Sequence, residues 1–354
     1  MVNYKELSRD ISALKKNKKK IVFTIGSTSK LGPNNSYLTP VRETRYLNIL
    51  GINIYNKDDI KKVISTIHRF VDYVFIDCEK KIQNNFNVSE IINYFKIKNK
   101  KKFNKNFFFT YKANDLTVES ADKFLEKKCI NNNYVFGVIG SGNIGSKLAL
   151  KINERGRKVY IFRRNLKKLI TITKALNLIK NKYIKSNILF ATSISEIVKK
   201  SNILISCSSS NKPVITKQLL KKCRNLKFVL DVGKQSVSED GMIYAHENSI
   251  KIFRLDISIS LISMIESYIK YDNSILKKIG RKKVNENFFV SGGYVGMKND
   301  LIVDNVNNIK RIYGLADGSG NFKKRFGNIS LKMYFLNKKL NKQKINLSYD
   351  VKSR

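Results

Sequence analysis

The chain has 354 residues, 42% of them hydrophobic, enough for about two ordinary packed domains. No apolar run approaches the roughly 20 residues of a membrane span, and the Lys-rich start before the strand-length run 21–25 does not read as a secretory signal. The net charge of +42 is spread along the chain in a Lys- and Asn-rich background, not gathered into an aromatic-interleaved basic stripe. It therefore reads as solvated surface and argues against nucleic acid as the main partner.

Four scattered cysteines (Cys78, Cys129, Cys207, Cys223) and two histidines give neither a disulfide framework nor a His-based metal site. A reduced, cytoplasmic protein with no membrane partner and no metal is expected.

In chain order, residues 21–25 (IVFTI) read as a strand. Thr39-Pro40 then reads as an N-cap with Pro at the first helical position, opening a helix that runs to Leu50 and stops at Gly51. A strand at 52–55 follows, then a helix from Asp58 with Ile60, Val63, Ile64 and Ile67 on one face. Residues 73–77 (YVFID) are a strand, 80–87 a loop, 88–95 helical in spacing and 98–106 a Lys/Asn loop. Residues 107–111 (FFFTY) are a strand and 117–128 a helix. This alternation predicts a parallel α/β substrate domain over residues 1–128.

Strands at 134–139, 158–162, 188–191, 203–207, 228–232 and 250–255, separated by helical segments, predict a doubly wound Rossmann domain over 129–283. Residues 257–280 read as one long helix that could cross back to the first domain. Residues 284–354 form a Gly-rich C-terminal extension of turns and short strands with a basic tail after about residue 323. That extension suits a cover over the site or a subunit contact, and a homodimer is left open.

The motif Gly140-Ser141-Gly142-Asn143-Ile144-Gly145 follows a strand and opens a helix, which is the context GxGxxG needs. Gly140 permits the tight turn, Gly142 lets backbone approach a pyrophosphate, and Gly145 lets helix pack on strand. The free N–H groups and dipole of the helix N-terminus favour phosphate. The competing reading is a glycine turn without a ligand.

Where an NAD-binding fold usually places a carboxylate for the ribose 2′-hydroxyl, this chain has Arg163-Arg164. An arginine pair suits a 2′-phosphate, so NADP is expected and NAD less so. Ser208 and Ser209, after the fourth strand of this domain, and Gly233, after the fifth, are expected beside the cofactor; a plain loop is the alternative for the serines.

In the first domain Lys112 ends a strand. Lysine beside a carboxylate can move a proton to or from an oxygen as hydride moves at the adjacent carbon, and Asp115 is the candidate carboxylate. Lys112 reads equally as one more surface lysine among 69 basic residues. Ser27 and Ser29 form a turn suited to a carboxylate or phosphate, or simply a connecting loop. Cys78, directly after a strand, has no neighbouring His to activate it.

The segments VIGSGNIGSKLA (138–149), FRRN (162–165), LISCSSSNKPVI (204–215) and LDVGK (230–234) resemble the second domain of shikimate dehydrogenases and bifunctional methylenetetrahydrofolate dehydrogenases. The resemblance covers roughly residues 117–280. It implies an α/β substrate domain before the Rossmann domain. It further implies a Ser-x-Ser substrate-carboxylate site, matched by Ser27 and Ser29, and a strand-end Lys acting with a later Asp, matched by Lys112. The family's Gly-Asp-Asn motif is missing; Asn114-Asp115 and Asp77 stand in for it only by position.

The expected protein is an NADP-dependent oxidoreductase moving a hydride between the nicotinamide and a small anionic carbonyl or alcohol metabolite. Lys112 and Asp115 would be catalytic, and Ser27, Ser29 and Asn114 substrate-binding. A non-catalytic Rossmann protein that senses a nucleotide is the alternative; a basic RNA-binding protein is the third reading.

Overall fold

The computed structural model describes residues 4–27, 36–54, 57–79, 90–93, 97, 108–130, 133–223, 225–271, 276–284, 287–323 and 346–347. By backbone contacts the chain divides into two units, residues 1–264 and 265–354.

The first sheet of the larger unit is built on β1 (Lys20–Ser27), flanked by β3 (Leu47–Ile54) and β4 (Tyr73–Asp77). β2 (Tyr37–Glu43) lies outside β3 and β5 (Phe108–Tyr111) outside β4, giving the order β2-β3-β1-β4-β5. Four strands are parallel, and β2 runs antiparallel to β3. Helices α1 (Tyr4–Lys15) and α2 (Lys57–Ile67) place Leu7 and Ile11 with Ile60, Val63, Ile64 and Ile67 in one buried cluster. Each such side chain contributes about 1.5–3 kcal/mol by leaving water.

The helix expected over 39–50 is instead the β2–β3 hairpin. Residues 47–52 are all buried, as fits a strand covered on both faces. Gly51 is not a helix stop. A Cβ there would lie 1.9 Å from Thr24 Oγ1 of β1, so the glycine lets two strands pair. Pro40 stands on the edge strand, where the ladder register shifts between Thr39 and Arg42 and a missing N–H costs little. Thr44 Oγ1 accepts the Tyr46 and Leu47 amides and closes the hairpin turn.

The second sheet is all parallel, in the order β11-β10-β9-β6-β7-β8. Its strands are β6 (Val135–Ile139), β7 (Lys158–Phe162), β8 (Leu189–Phe190), β9 (Ile203–Ser206), β10 (Phe228–Asp231) and β11 (Lys251–Arg254). This is the doubly wound order, and β8 keeps only two residues of the expected strand 188–191. The crossover helices are α4 (Asn143–Glu154), α5 (Leu166–Ile179), α6 (Ile194–Lys200), α7 (Lys217–Leu220) and α8 (Glu239–Glu247).

α3 (Ala113–Lys128) begins four residues earlier than expected and packs on α4. Between them Asp122, only 4% exposed, takes a two-point hydrogen bond from Arg155 at 2.9 Å and a longer contact from Lys151 at 3.4 Å.

The helix expected over 257–280 is shorter. α9 (Ser258–Lys270) ends ten residues short of that, and Gly280 opens a strand with φ 150°. In the smaller unit β12 (Gly280–Val284), β13 (Asn287–Ser291), β14 (Leu301–Val303) and β15 (Arg311–Ala316) form one sheet. Arg281 makes a two-point bond to the buried Asp300 beside it, at 2.7 and 3.0 Å. Most of the basic tail lies outside the described residues.

Candidate dinucleotide and substrate site

In the Rossmann sheet the strand order reverses between β6 and β9, and doubly wound sheets bind ligands beyond the carboxyl ends at such a reversal. Gly140 leaves β6 with φ 100°, a conformation side chains resist, and a Cβ there would come within 2.9 Å of the Cys207 backbone beyond β9. Its amide bonds to Phe162 O at 2.9 Å, tying the turn to the end of β7.

Gly145 lies in the first turn of α4, where a Cβ would sit 2.0 Å from Gly140 O, so the helix seats on the turn only without a side chain. Gly142, the N-cap, is different: nothing lies within 4 Å of its would-be Cβ. Open space at Gly142 thus lies beside the N-terminal N–H groups of a 12-residue helix. Ser141 is fully buried, and its Oγ makes no hydrogen bond among the described residues. Asn143 is exposed and Ile144 half-buried in the same first turn.

Arg163 donates from Nη1 to Ser141 O at 3.1 Å, which holds its guanidinium beside the turn, while Arg164 is exposed. Asn165 caps α5 by accepting the Lys168 amide at 2.9 Å, so the third residue of that trio serves the helix. No carboxylate stands at the end of β7.

Beyond β9, Ser208 Oγ accepts the Ser210 amide at 3.1 Å and Ser209 is exposed. A Cβ on Gly233 would lie 2.3 Å from Ser208 O, so this glycine allows the two loops to meet. Burial, aided by the negative charge of Asp231, pushes the Cys207 thiol up to about 12. The Asp231 carboxylate accepts from the Ser236 hydroxyl and from its amide at 3.3 Å, which fixes the turn between them. Within that turn Lys234 and Gln235 adopt φ 64° and 53°. Left-handed backbone costs a side-chain-bearing residue on the order of 1 kcal/mol or more each.

The other candidate residues lie at the carboxyl edge of the first sheet. Parallel register brings Gly26 and Ser27 of β1 beside Asn53 and Ile54 of β3, and Asp77 of β4 beside Tyr111 of β5. Because β2 is antiparallel, its first residue, Tyr37, pairs with Asn53 on this same edge. Burial, with Asp77 nearby, raises the Tyr111 pKa well above the usual phenol range.

Ser27 is the last residue of β1, which runs two residues beyond the strand expected over 21–25 rather than leaving Ser27 in the following turn, and Ser29 lies outside the described residues. Lys112 is the exposed N-cap of α3 and makes no ion pair among the described residues. Asp115 is not paired with it: its carboxylate meets Lys147 of α4 at 2.5 Å. The backbone N–H of Asn114 donates to Glu79 Oε2 at 2.8 Å. Cys78 is exposed.

Three polar residues on this edge and in the Rossmann loops escaped the sequence reading. Asn53 donates to Tyr37 Oη at 2.7 Å, and Lys234 Nζ approaches the same oxygen at 3.4 Å. A fourth, Arg42, donates to Ser258 Oγ at 2.5 Å, linking β2 to the start of α9. The available signal for Lys234 was its place directly after Gly233; Tyr37 was hidden by the helix expected from Thr39.

Fold and turn together define a Rossmann-type dinucleotide-binding domain. Residues 121–236 match the family model of shikimate/quinate 5-dehydrogenases, so the resemblance read from the sequence holds over that segment, the nucleotide-binding part of an oxidoreductase family. Among solved structures, the chain is similar to a dipicolinate synthase component from Bacillus halodurans at 12% identity, covering 72% of this chain and 98% of that one, with a TM-score of 0.37. It is also similar to a shikimate dehydrogenase in complex with NADP+, at 13% identity, 73% and 91% coverage and a TM-score of 0.41. L-tryptophan dehydrogenase from Nostoc punctiforme gives 10% identity, 71% and 78% coverage and a TM-score of 0.38. No curated protein matches the chain. No described helix is long and apolar enough to cross a membrane.

Proposed function

We propose that the protein is an NADP-dependent oxidoreductase acting on a small anionic carbonyl or alcohol metabolite, with residues 1–128 serving the substrate and 129–283 the dinucleotide. The observation that carries this is the turn itself: an open Gly142 at a helix N-terminus, with Arg163 fastened to the adjacent Ser141 carbonyl. Gly140, Ser141, Gly142, Asn143, Ile144 and Gly145 would hold the pyrophosphate. Arg163 and Arg164 would hold the 2′-phosphate, and Ser208, Ser209 and Gly233 would line the nicotinamide end.

Bound NADP(H) supplies or accepts a hydride at the substrate carbon. Ser27, Ser29, Asn114 and Lys112 are the residues proposed to hold the substrate's anionic group, Lys112 being an exposed cation that attracts carboxylate. Asp115, neutralised by Lys147, is better suited to holding α3 against α4 than to proton transfer.

The test is turnover. Purified protein with NADPH is screened against pyruvate, 2-oxoglutarate, oxaloacetate, 3-dehydroshikimate and 3-dehydroquinate by loss of nicotinamide absorbance. Oxidation of NADPH that depends on one of these acids supports the reading. Tight NADPH binding with no turnover on the whole panel favours a nucleotide-sensing protein instead.

A further inference from the structure

We infer that Tyr37 is the catalytic proton donor of this site and that Lys234 and Asn53 position it; this rests on the oxidoreductase reading above. A phenol oxygen has two lone pairs and one proton. Asn53 Nδ2 and Lys234 Nζ both donate to Tyr37 Oη, at 2.7 and 3.4 Å, so both lone pairs are engaged by N–H groups. Neither an ammonium nor an amide NH2 can accept a hydrogen bond. The hydroxyl proton is therefore left for an acceptor outside this trio, and Tyr37 is 39% exposed, open to such an acceptor.

The placement fits the chemistry. Tyr37 reaches the carboxyl edge of the first sheet because β2 is antiparallel, and Lys234 comes from the loop whose Gly233 packs on Ser208 beyond β9. The hydroxyl thus belongs to both edges between which substrate and nicotinamide would meet. Asn53 is held from its other side: a Cβ on Gly26 would fall 2.7 Å from Asn53 Oδ1, so only glycine leaves it this seat.

The step balances. In reduction the carbonyl carbon gains a hydride from the reduced dinucleotide, the C=O π pair moves onto oxygen, and that oxygen takes the Tyr37 proton to give the alcohol. The phenolate left behind is stabilised by the Lys234 ammonium and the Asn53 amide, and water returns the proton. Oxidation runs the same path backwards, with Tyr37 as base. Lys112, exposed and without a carboxylate partner among the described residues, then has no part in moving this proton.

The test uses Tyr37→Phe and Lys234→Gln in the full chain. Binding of NADPH is expected to be unchanged in both. With the best acid of the panel above, Tyr37→Phe lowers kcat by about 10²–10⁴-fold, the usual contribution of general acid–base catalysis. In the cofactor-free protein labelled with carbon-13 at tyrosine Cζ, the Tyr37 resonance shifts in Lys234→Gln.

Full kcat in Tyr37→Phe overturns the inference and leaves the oxidoreductase reading intact. Loss of NADPH affinity in Tyr37→Phe also overturns it, by making Tyr37 part of the fold; so does a Tyr37 resonance indifferent to Lys234. A wild-type protein that binds NADPH but reduces no acid removes the reading and the inference together.

Discussion

Gly142→Ala separates binding from folding. Gly142 has φ −85° and ψ −160°, values any residue adopts, and its would-be Cβ meets nothing within 4 Å. As an N-cap, alanine is worse than glycine by several tenths of a kcal/mol. The stiffer unfolded chain offsets about 0.4–1 kcal/mol of that. Net stability therefore changes by roughly 0.5 kcal/mol or less, and Tm by about 2 °C or less.

Binding should suffer far more, because the new methyl occupies the approach of the pyrophosphate. An overpacking cost of about 1–3 kcal/mol corresponds to NADPH binding weaker by about 5- to 150-fold. Gly145→Ala fails in the other way. Its Cβ would lie 2.0 Å from a backbone oxygen, so α4 must shift, with a loss of about 3 kcal/mol and a Tm lower by about 6–12 °C. Scanning calorimetry and NADPH fluorescence titration of both variants make the comparison. A Gly142→Ala protein with unchanged Tm and unchanged NADPH affinity would refute the placement of the pyrophosphate.

Further outcomes follow from other parts of the molecule. Replacing Arg163 and Arg164 by Ser should weaken NADPH by about 10- to 100-fold, from about 1.5–3 kcal/mol of charge-assisted bonding, and leave NADH within about threefold; parallel titrations read this. At Asp122 burial works to raise the carboxyl pKa, but the Arg155 hydrogen bonds and the Lys151 charge outweigh it and hold the pKa below the ordinary 3.8. A depressed folded pKa contributes stability above the unfolded value that is lost as pH falls through the folded one. The Asp122 contribution is thus complete above about pH 4 and fades below it. Asp122→Asn should cost about 2 kcal/mol at pH 7, between surface and buried ion pairs because Arg155 is 40% exposed, and denaturant midpoints across pH check both statements. Burial pushes the Cys129 thiol up to about 11 and those of Cys207 and Cys223 to about 12. Iodoacetamide at pH 8 should therefore label the exposed Cys78 and spare these three, as peptide mapping would show.

What was legible in the sequence was local. Gly140–Gly145 could be read because strand, turn and helix N-terminus are contiguous, and the six Rossmann strands because each is a short apolar run between turn residues. The β2–β3 hairpin was misread because Thr39-Pro40 and Gly51 are sound helix punctuation taken one at a time. Only the neighbouring β1, with Thr24 against Gly51, shows them to be an edge-strand proline and a packing glycine. The Lys112–Asp115 pair failed to form for a similar reason, since the partner of Asp115 lies on another helix, at Lys147. The meeting of Tyr37 with Lys234, 197 residues apart, depends on two sheets at once and leaves no pattern in the chain.

The central claim is that the turn at Gly140–Gly145 binds NADP(H). Its most direct test is titration of the purified protein with NADPH and NADH in parallel at moderate salt. Saturable binding with NADPH favoured at least about tenfold, or about 1.4 kcal/mol, is the predicted result. Binding of neither dinucleotide would contradict the account and reduce the glycine turn to a packing feature of α4.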